Sequence, residues 1–148
     1  SPDPKHGAKF MTAMACADVP KYTLITGASY AAAYFAMLGR AFRPNATLMW
    51  PSAHAAVMGP EQAATTLAMV RDNIHVREGT SWTDEEREEF RKPIMKDFEA
   101  FADPYNFARN LWCDMVIDPV ETRDVMALLL DLAGRTSAKK TKFGVFRM

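Results

Sequence analysis

The segment Thr26-Gly27-Ala28-Ser29-Tyr30-Ala31-Ala32-Ala33 sets small residues between an apolar run ending at Ile25 and a helix-forming run from Ala31 to Leu38. That order reads as strand, tight turn, helix. The N–H groups that open a helix have no intrahelical partner, and the helix dipole adds partial positive charge there. Such a turn can stabilise a developing oxyanion through the main chain, with no acidic side chain involved. Gly27, Ala28, Ala31, Ala32 and Ala33 would let a ligand come close to the backbone. The same residues also suit plain packing of a strand on a helix, and the segment alone leaves both readings open.

Two other chemistries share parts of this pattern. Leu24-Ile25-Thr26-Gly27-Ala28-Ser29 resembles the opening of a short-chain dehydrogenase cofactor loop. That loop needs further glycines where Ala31 and Ala33 stand, and the chain has no Tyr-x-x-x-Lys pair. Gly27-Ala28-Ser29-Tyr30-Ala31 also approximates a Gly-x-Ser-x-Gly nucleophile elbow. A nucleophilic Ser29 would need a histidine base held by a carboxylate. After Ser29 the chain offers only His54 and His75, and both read as surface or interface residues.

The elements around the turn follow from periodicity and punctuation. Phe10, Met11, Met14 and Ala15 have helical spacing over residues 7–17, which Asp18-Val19-Pro20 ends. Lys21 to Thr26 reads as a short buried strand, Thr47 to Trp50 as a second, and Ala53 to Met58 as a further short one. Gly39 stands where a left-handed helix end is expected after Leu38. Gly59-Pro60-Glu61 opens a helix with Ala63, Ala64, Leu67 and Val70 on one side. Thr83 and Glu86 have the capping-box spacing. Phe90, Ile94, Phe98 and Phe101 carry a stripe that Pro93 interrupts, predicting two helices or one kinked helix. Asp118-Pro119-Val120-Glu121 starts a last helix that runs to Gly134. The tail from Arg135 to Met148 has no helical period.

Strands alternating with helices predict an α/β class with right-handed crossovers. The strands are few and early, so the pattern is expected to belong to a larger domain whose other strands lie upstream. Ser1-Pro2-Asp3-Pro4 reads as an abrupt start. The 148 residues carry 18 basic and 18 acidic side chains, which argues against a nucleic-acid footprint. The acidic run Asp84 to Glu89 and the basic run Arg135 to Lys142 read as solvated surface. No apolar run approaches the ~20 residues of a membrane helix. Cys16 and Cys113, each in an apolar helical context, suggest buried inert thiols rather than a disulfide framework.

Read end to end, the sequence resembles the carboxyltransferase β subunits of biotin-dependent acyl-CoA carboxylases. The family's Gly-Gly-Ser-Tyr-Gly-Ala-Gly-Asn-Tyr-Gly-Met is met by Gly27-Ala28-Ser29-Tyr30-Ala31-Ala32-Ala33-Tyr34-Phe35-Ala36-Met37. The likeness continues through Gly39-Arg40-Ala41-Phe42, Trp50-Pro51, Val57-Met58-Gly59-Pro60-Glu61-Gln62-Ala63-Ala64 and Arg77-Glu78-Gly79. It then takes in Asp103-Pro104-Tyr105, Ile117 to Arg123, and the ending Phe143-Gly144-Val145-Phe146-Arg147-Met148.

The resemblance implies a crotonase-like fold, a spiral of ββα units with two such domains per subunit. Residues 1–148 would be the C-terminal part of the second domain, incomplete and with extra C-terminal helices. It implies two substrates: an acyl-CoA, and carboxybiotin carried on a partner α subunit. It also implies a homo-oligomer of β subunits and no metal in this subunit. The compartment would be the mitochondrial matrix in a eukaryote or the cytoplasm in a bacterium. Each developing oxyanion would be held by backbone amides, so no side-chain acid or base is expected. By position, Ala31 and Ala32 would present the N–H groups facing the biotin oxygen. Gly27, Ala28, Ser29 and Tyr30 would shape the turn, and Tyr34 would line the cleft. Ala28, Ala31, Ala33 and Ala36 stand where the family usually has glycine, and Tyr34 where it has asparagine. Right-handed helical geometry would suit those alanines; position 28 is where a positive φ would strain one.

Overall fold

A computed structural model describes residues 4–135 and 137. The Phe-Gly-x-Phe-Arg-Met ending, Ser1 to Asp3 and most of the basic run after Arg135 lie outside the described residues.

Two ββα units follow one another. After α1 (Pro4–Cys16), the first comprises β1 (Tyr22–Ile25), β2 (Ala28–Tyr30) and α2 (Ala31–Ala36). The second comprises β3 (Ala46–Met49), β4 (His54–Ala56) and α3 (Pro60–Glu78). Each unit gives one strand to each of two sheets. Parallel β1 and β3 are joined by β5 (Met115–Val116) in the order β1-β3-β5, and β2 pairs in parallel with β4. The repeated unit and all-parallel pairing make this a crotonase-like α/β fold. The remaining elements are α4 (Asp84–Ala102), α5 (Pro104–Arg109) and α6 (Thr122–Gly134).

β3 is the centre of the larger sheet, and all four of its residues are buried. Alternate side chains of a strand face opposite ways. Met49 accordingly packs with Ile25, Ala53, Ala55, Phe107 and Cys113. Leu48 faces the other side, with Ala46, Ile117 and the inner face of α6. Two long-range bonds tie α6 to this sheet: Tyr22 Oη donates to Leu129 O at 2.9 Å, and Trp50 Nε1 to Thr122 Oγ1 at 2.9 Å.

The helix signals act as their chemistry requires. Thr83 Oγ1 accepts from Glu86 N at 3.2 Å, while Glu86 Oε2 accepts from Thr83 N at 2.7 Å. Asp103 caps α5, accepting from Tyr105 N and Asn106 N. Asp118 accepts from Val120 N and opens a 3-10 turn, Pro119–Glu121, that leads into α6. α4 is one helical span through Pro93.

Several expectations change. The residues read as a turn, Ala28 to Tyr30, form strand β2, because they extend along β4 with Ala28 opposite His54 and Ser29 opposite Ala55. The left-handed residue after α2 is Leu38, at φ 69°, whereas Gly39 has φ −61°. Gly39 is needed for space: a Cβ there would lie 3.0 Å from Tyr34 O and 3.3 Å from Phe35 Cα. On α3 the buried residues are Ala63, Ala64 and Ala68, while Leu67 and Val70 are exposed. Cys113 is buried, but on the bend between α5 and β5 rather than in a helix.

Candidate functional site

β2 delivers the chain to α2 through Tyr30, which keeps extended geometry (φ −122°, ψ 151°). The next residue turns sharply: Ala31 has φ 52°. An alanine in the left-handed region costs roughly 1–2 kcal/mol. The strain predicted for position 28 therefore falls on position 31, where the family usually has glycine. Ala28 lies in a strand, where any residue is comfortable. No side chain caps α2, so its opening N–H groups lack the partner that helix ends otherwise acquire.

Ala31 and Ala32 form part of the wall of an apolar cleft of about 510 Å³. Tyr34 lines it from the next part of α2, and Ala56 and Val57 from the end of β4. Facing them is an aromatic wall. Phe107 and Trp112 meet edge to face at 5.2 Å between centroids, Trp112 meets Phe101 at 5.1 Å, and Tyr34 meets Phe107 at 6.4 Å. These ring contacts hold the wall in place.

Of the residues predicted for the site, Ala31, Ala32 and Tyr34 are brought together here. Gly27, Ala28 and Ser29 line a separate, more polar groove of about 340 Å³ beside β1, to which Tyr34 also contributes. Tyr30 lines neither cavity. No hydrogen bond joins Ser29 to a histidine among the described residues. His54 is exposed on β4, and His75 Nδ1 is 2.7 Å from Thr80 Oγ1, with its ring stacked at 5.2 Å on Trp82. Sequence reasoning missed the aromatic wall. Phe101, Phe107 and Trp112 come from α4, α5 and the loop after it, and no local period links them.

The one fixed charge lining the cleft among the described residues is Arg40, and it is engaged. Its guanidinium donates to Asp114 Oδ2 at 2.6 Å, and the same oxygen accepts from Thr47 N at 2.7 Å. The hydrogen bond from Arg40 holds the Asp114 carboxyl below its ordinary value, with burial opposing and the Thr47 amide assisting. The same bond raises the Arg40 guanidinium. Next door, burial pushes the Cys113 thiol up, and the charge of Asp114 adds to this. Among the described residues, no carboxylate or histidine lines the cleft.

Parallel ββα units, with an apolar cleft at the start of the first unit's helix, make up a crotonase-like α/β domain. Residues 4–146 match the carboxyl transferase domain family, and the chain belongs to it. It is similar to the β1 subunit of the biotin-dependent 3-methylcrotonyl-coenzyme A carboxylase of Mycobacterium tuberculosis. There, 46% of 144 residues are identical, covering 97% of this chain and 27% of that one. The mitochondrial methylcrotonoyl-CoA carboxylase β chain of Arabidopsis thaliana is 45% identical over 97% of this chain and 24% of its own length. Among solved structures, the β subunit of Pseudomonas aeruginosa geranyl-CoA carboxylase superposes with a TM-score of 0.78 at 31% identity. That alignment covers 97% of this chain and 27% of the neighbour. Transcarboxylase 12S, a hexamer solved with hydrolysed methylmalonyl-coenzyme A bound, gives 0.75 at 32%, covering 98% of this chain and 26% of its own. The chain thus spans about a quarter of the length of the curated relatives it matches.

Proposed function

We propose that the protein to which this chain belongs is a carboxyltransferase β subunit of methylcrotonoyl-CoA carboxylase. It would move a carboxyl group from carboxybiotin to 3-methylcrotonoyl-CoA in leucine breakdown. Residues 1–148 are then the later part of its second carboxyltransferase domain. The partners are a biotin-bearing α subunit and further β subunits. The observation that carries this reading is the open apolar cleft with Ala31 and Ala32 on its wall and, among the described residues, no carboxylate or histidine beside them.

The cleft fits a flat, largely apolar ring system that needs donors at one polar oxygen. When bound, carboxybiotin would supply the carboxyl group and then the base for the acidic thioester proton, which in the α,β-unsaturated 3-methylcrotonoyl group lies on the γ-methyl carbon. The chain's own part is positional. A positive φ at Ala31 beside helical residues is the backbone alternation that turns successive N–H groups toward one point. The N–H groups of Ala31 and Ala32 would hold the biotin oxygen as charge develops on it. Phe107 and Trp112 exclude water, which strengthens those bonds. Tyr34 closes the same side. Gly27, Ala28, Ser29 and Tyr30 act one step back, fixing how β2 enters α2. The alanine methyls leave the cleft open, which favours a working site over a purely structural relative.

The test is a carboxybiotin-dependent assay of the full-length protein with its α subunit, on 3-methylcrotonoyl-CoA, propionyl-CoA and geranyl-CoA. Preference for 3-methylcrotonoyl-CoA is expected. Preference for either of the others would move the protein to a sister enzyme, and no carboxylation at all would sink the reading.

A further inference from the structure

Helix α2 has little of its own to hold it in place. It is six residues long, none of them fully buried, and no side chain caps its start. A helix this short is marginal by itself, so its pose depends on what fastens the chain just after it. That chain turns back as a unit. Gly39 N donates to Phe35 O at 3.2 Å and Phe42 N to Gly39 O at 2.9 Å, while the Phe35 and Phe42 rings meet edge to face at 5.9 Å. Among the described residues, two side-chain hydrogen bonds tie this unit to the rest of the fold. Thr23 Oγ1 of β1 donates to Leu38 O at 3.0 Å, and the Arg40 guanidinium donates to Asp114 Oδ2 at 2.6 Å. Asp114 is anchored in turn, because its Oδ2 also accepts from Thr47 N at 2.7 Å and its own N–H donates to Thr47 O at 2.8 Å. It follows Trp112 by two residues on the same bend. The ion pair therefore ties the facing walls of the cleft together, α2 on one side and Trp112 on the other, with β3 as the common anchor.

We propose that Arg40 and Asp114 are positioning residues, a clamp that fixes α2 against the aromatic wall and so sets the amides of Ala31 and Ala32. The inference rests on the carboxyltransferase reading above. Asp114 does not line the cleft, so it acts only through Arg40 and β3. Ala31 gives the clamp something to oppose. A non-glycine residue in the left-handed region persists only where its surroundings over-determine it, and releasing α2 would let that strain relax by turning the amides away. Both side chains of the pair are partly exposed, and such a pair adds little to global stability. Its loss should therefore loosen the cleft without unfolding the domain.

The experiment uses the full-length protein assembled with its biotin-bearing subunit. Arg40→Ala and Asp114→Asn are each expected to lower kcat on 3-methylcrotonoyl-CoA by about tenfold or more, as for a slightly misplaced group. The KM for the thioester should change little, because the amides act on charge that develops in the transition state. The double variant should be no slower than either single one. Arg40→Lys keeps the charge and should recover part of the loss. A second readout is independent of turnover: amide hydrogen exchange should speed up over residues 31–37 by more than over α4. A loss confined to Arg40→Ala, with Asp114→Asn as fast as the parent, would put Arg40 in contact with the ligand and overturn the clamp. Additive losses would overturn it too, as would exchange that is unchanged at residues 31–37 or rises equally along the chain. If the unmodified enzyme carboxylates no acyl-CoA, the carboxyltransferase reading falls and takes the positioning role with it, whatever the exchange shows.

Discussion

Ala31 adopts φ 52°, a conformation that sets its methyl against the following carbonyl oxygen, while Ala33 sits inside α2. The two alanines therefore respond oppositely to the same change. Ala31→Gly relieves the left-handed strain and should stabilise the protein by up to ~1 kcal/mol, after the larger chain entropy of glycine is offset. Ala33→Gly should destabilise it by about 0.5–1 kcal/mol. Urea midpoints of the two variants check this, and equal shifts would place both residues in ordinary helix. Asp114 gives a pH signature. Its folded pKa is depressed by Arg40, so its contribution is full above the unfolded value of about 3.9 and is lost as pH falls through the folded value. Asp114→Asn should lower stability at neutral pH and flatten the acid limb of a stability–pH curve; an unchanged acid limb would remove Asp114 from the account. Sequence placed Ala31 at the site but not its conformation, because helix propensity describes average alanines and here β2 dictates how the chain enters the helix.

Caps were legible at Thr83 with Glu86 and at Asp118 with Pro119, because each pair occupies fixed local offsets that serve orphan N–H groups. Thr83→Ala should accordingly cost about 1 kcal/mol, read from thermal or chemical unfolding; no change would mean that the end of α4 is already frayed. Strand β2 was not legible. Ala28-Ser29-Tyr30 is three residues of mixed propensity, and it becomes a strand only because β4 lies alongside. The aromatic wall fails for the same reason at longer range, since Phe101, Phe107 and Trp112 meet only once α4 and α5 fold back on β4. β3 behaves differently. All four of its residues are buried, as on a strand covered on both faces, yet Thr47 Oγ1 has no hydrogen-bond partner among the described residues. An unsatisfied buried hydroxyl is worth less than a methyl of the same shape. Thr47→Val should therefore leave stability unchanged or raise it by about 1 kcal/mol in the same unfolding measurements, and a clear loss would reveal a partner for that oxygen.

At the scale of the whole chain, each sheet has two edge strands unpaired on their outer side among the described residues: β1 and β5 in the larger, β2 and β4 in the smaller. A free parallel edge is a template for another strand. On α6, Leu128, Leu130 and Leu132 are each about half exposed or more, and on α3 Met69, Val70 and Val76 are exposed. Exposed apolar surface on this scale favours association. Solvated charge does little to offset it, because the 18 positive and 18 negative side chains cancel and give no net repulsion between copies. The 148-residue chain is therefore expected to self-associate, with a mass in light scattering that rises with concentration. Replacing Leu128 and Leu130 by lysine should shift the distribution toward smaller species with only a small loss of stability, since both are largely exposed in one chain. If the double variant associates as strongly as the parent, the contact runs through the strand edges instead, and a proline at Thr23 of β1 becomes the variant that should weaken it. A stable monomer at all concentrations would show that neither surface drives association.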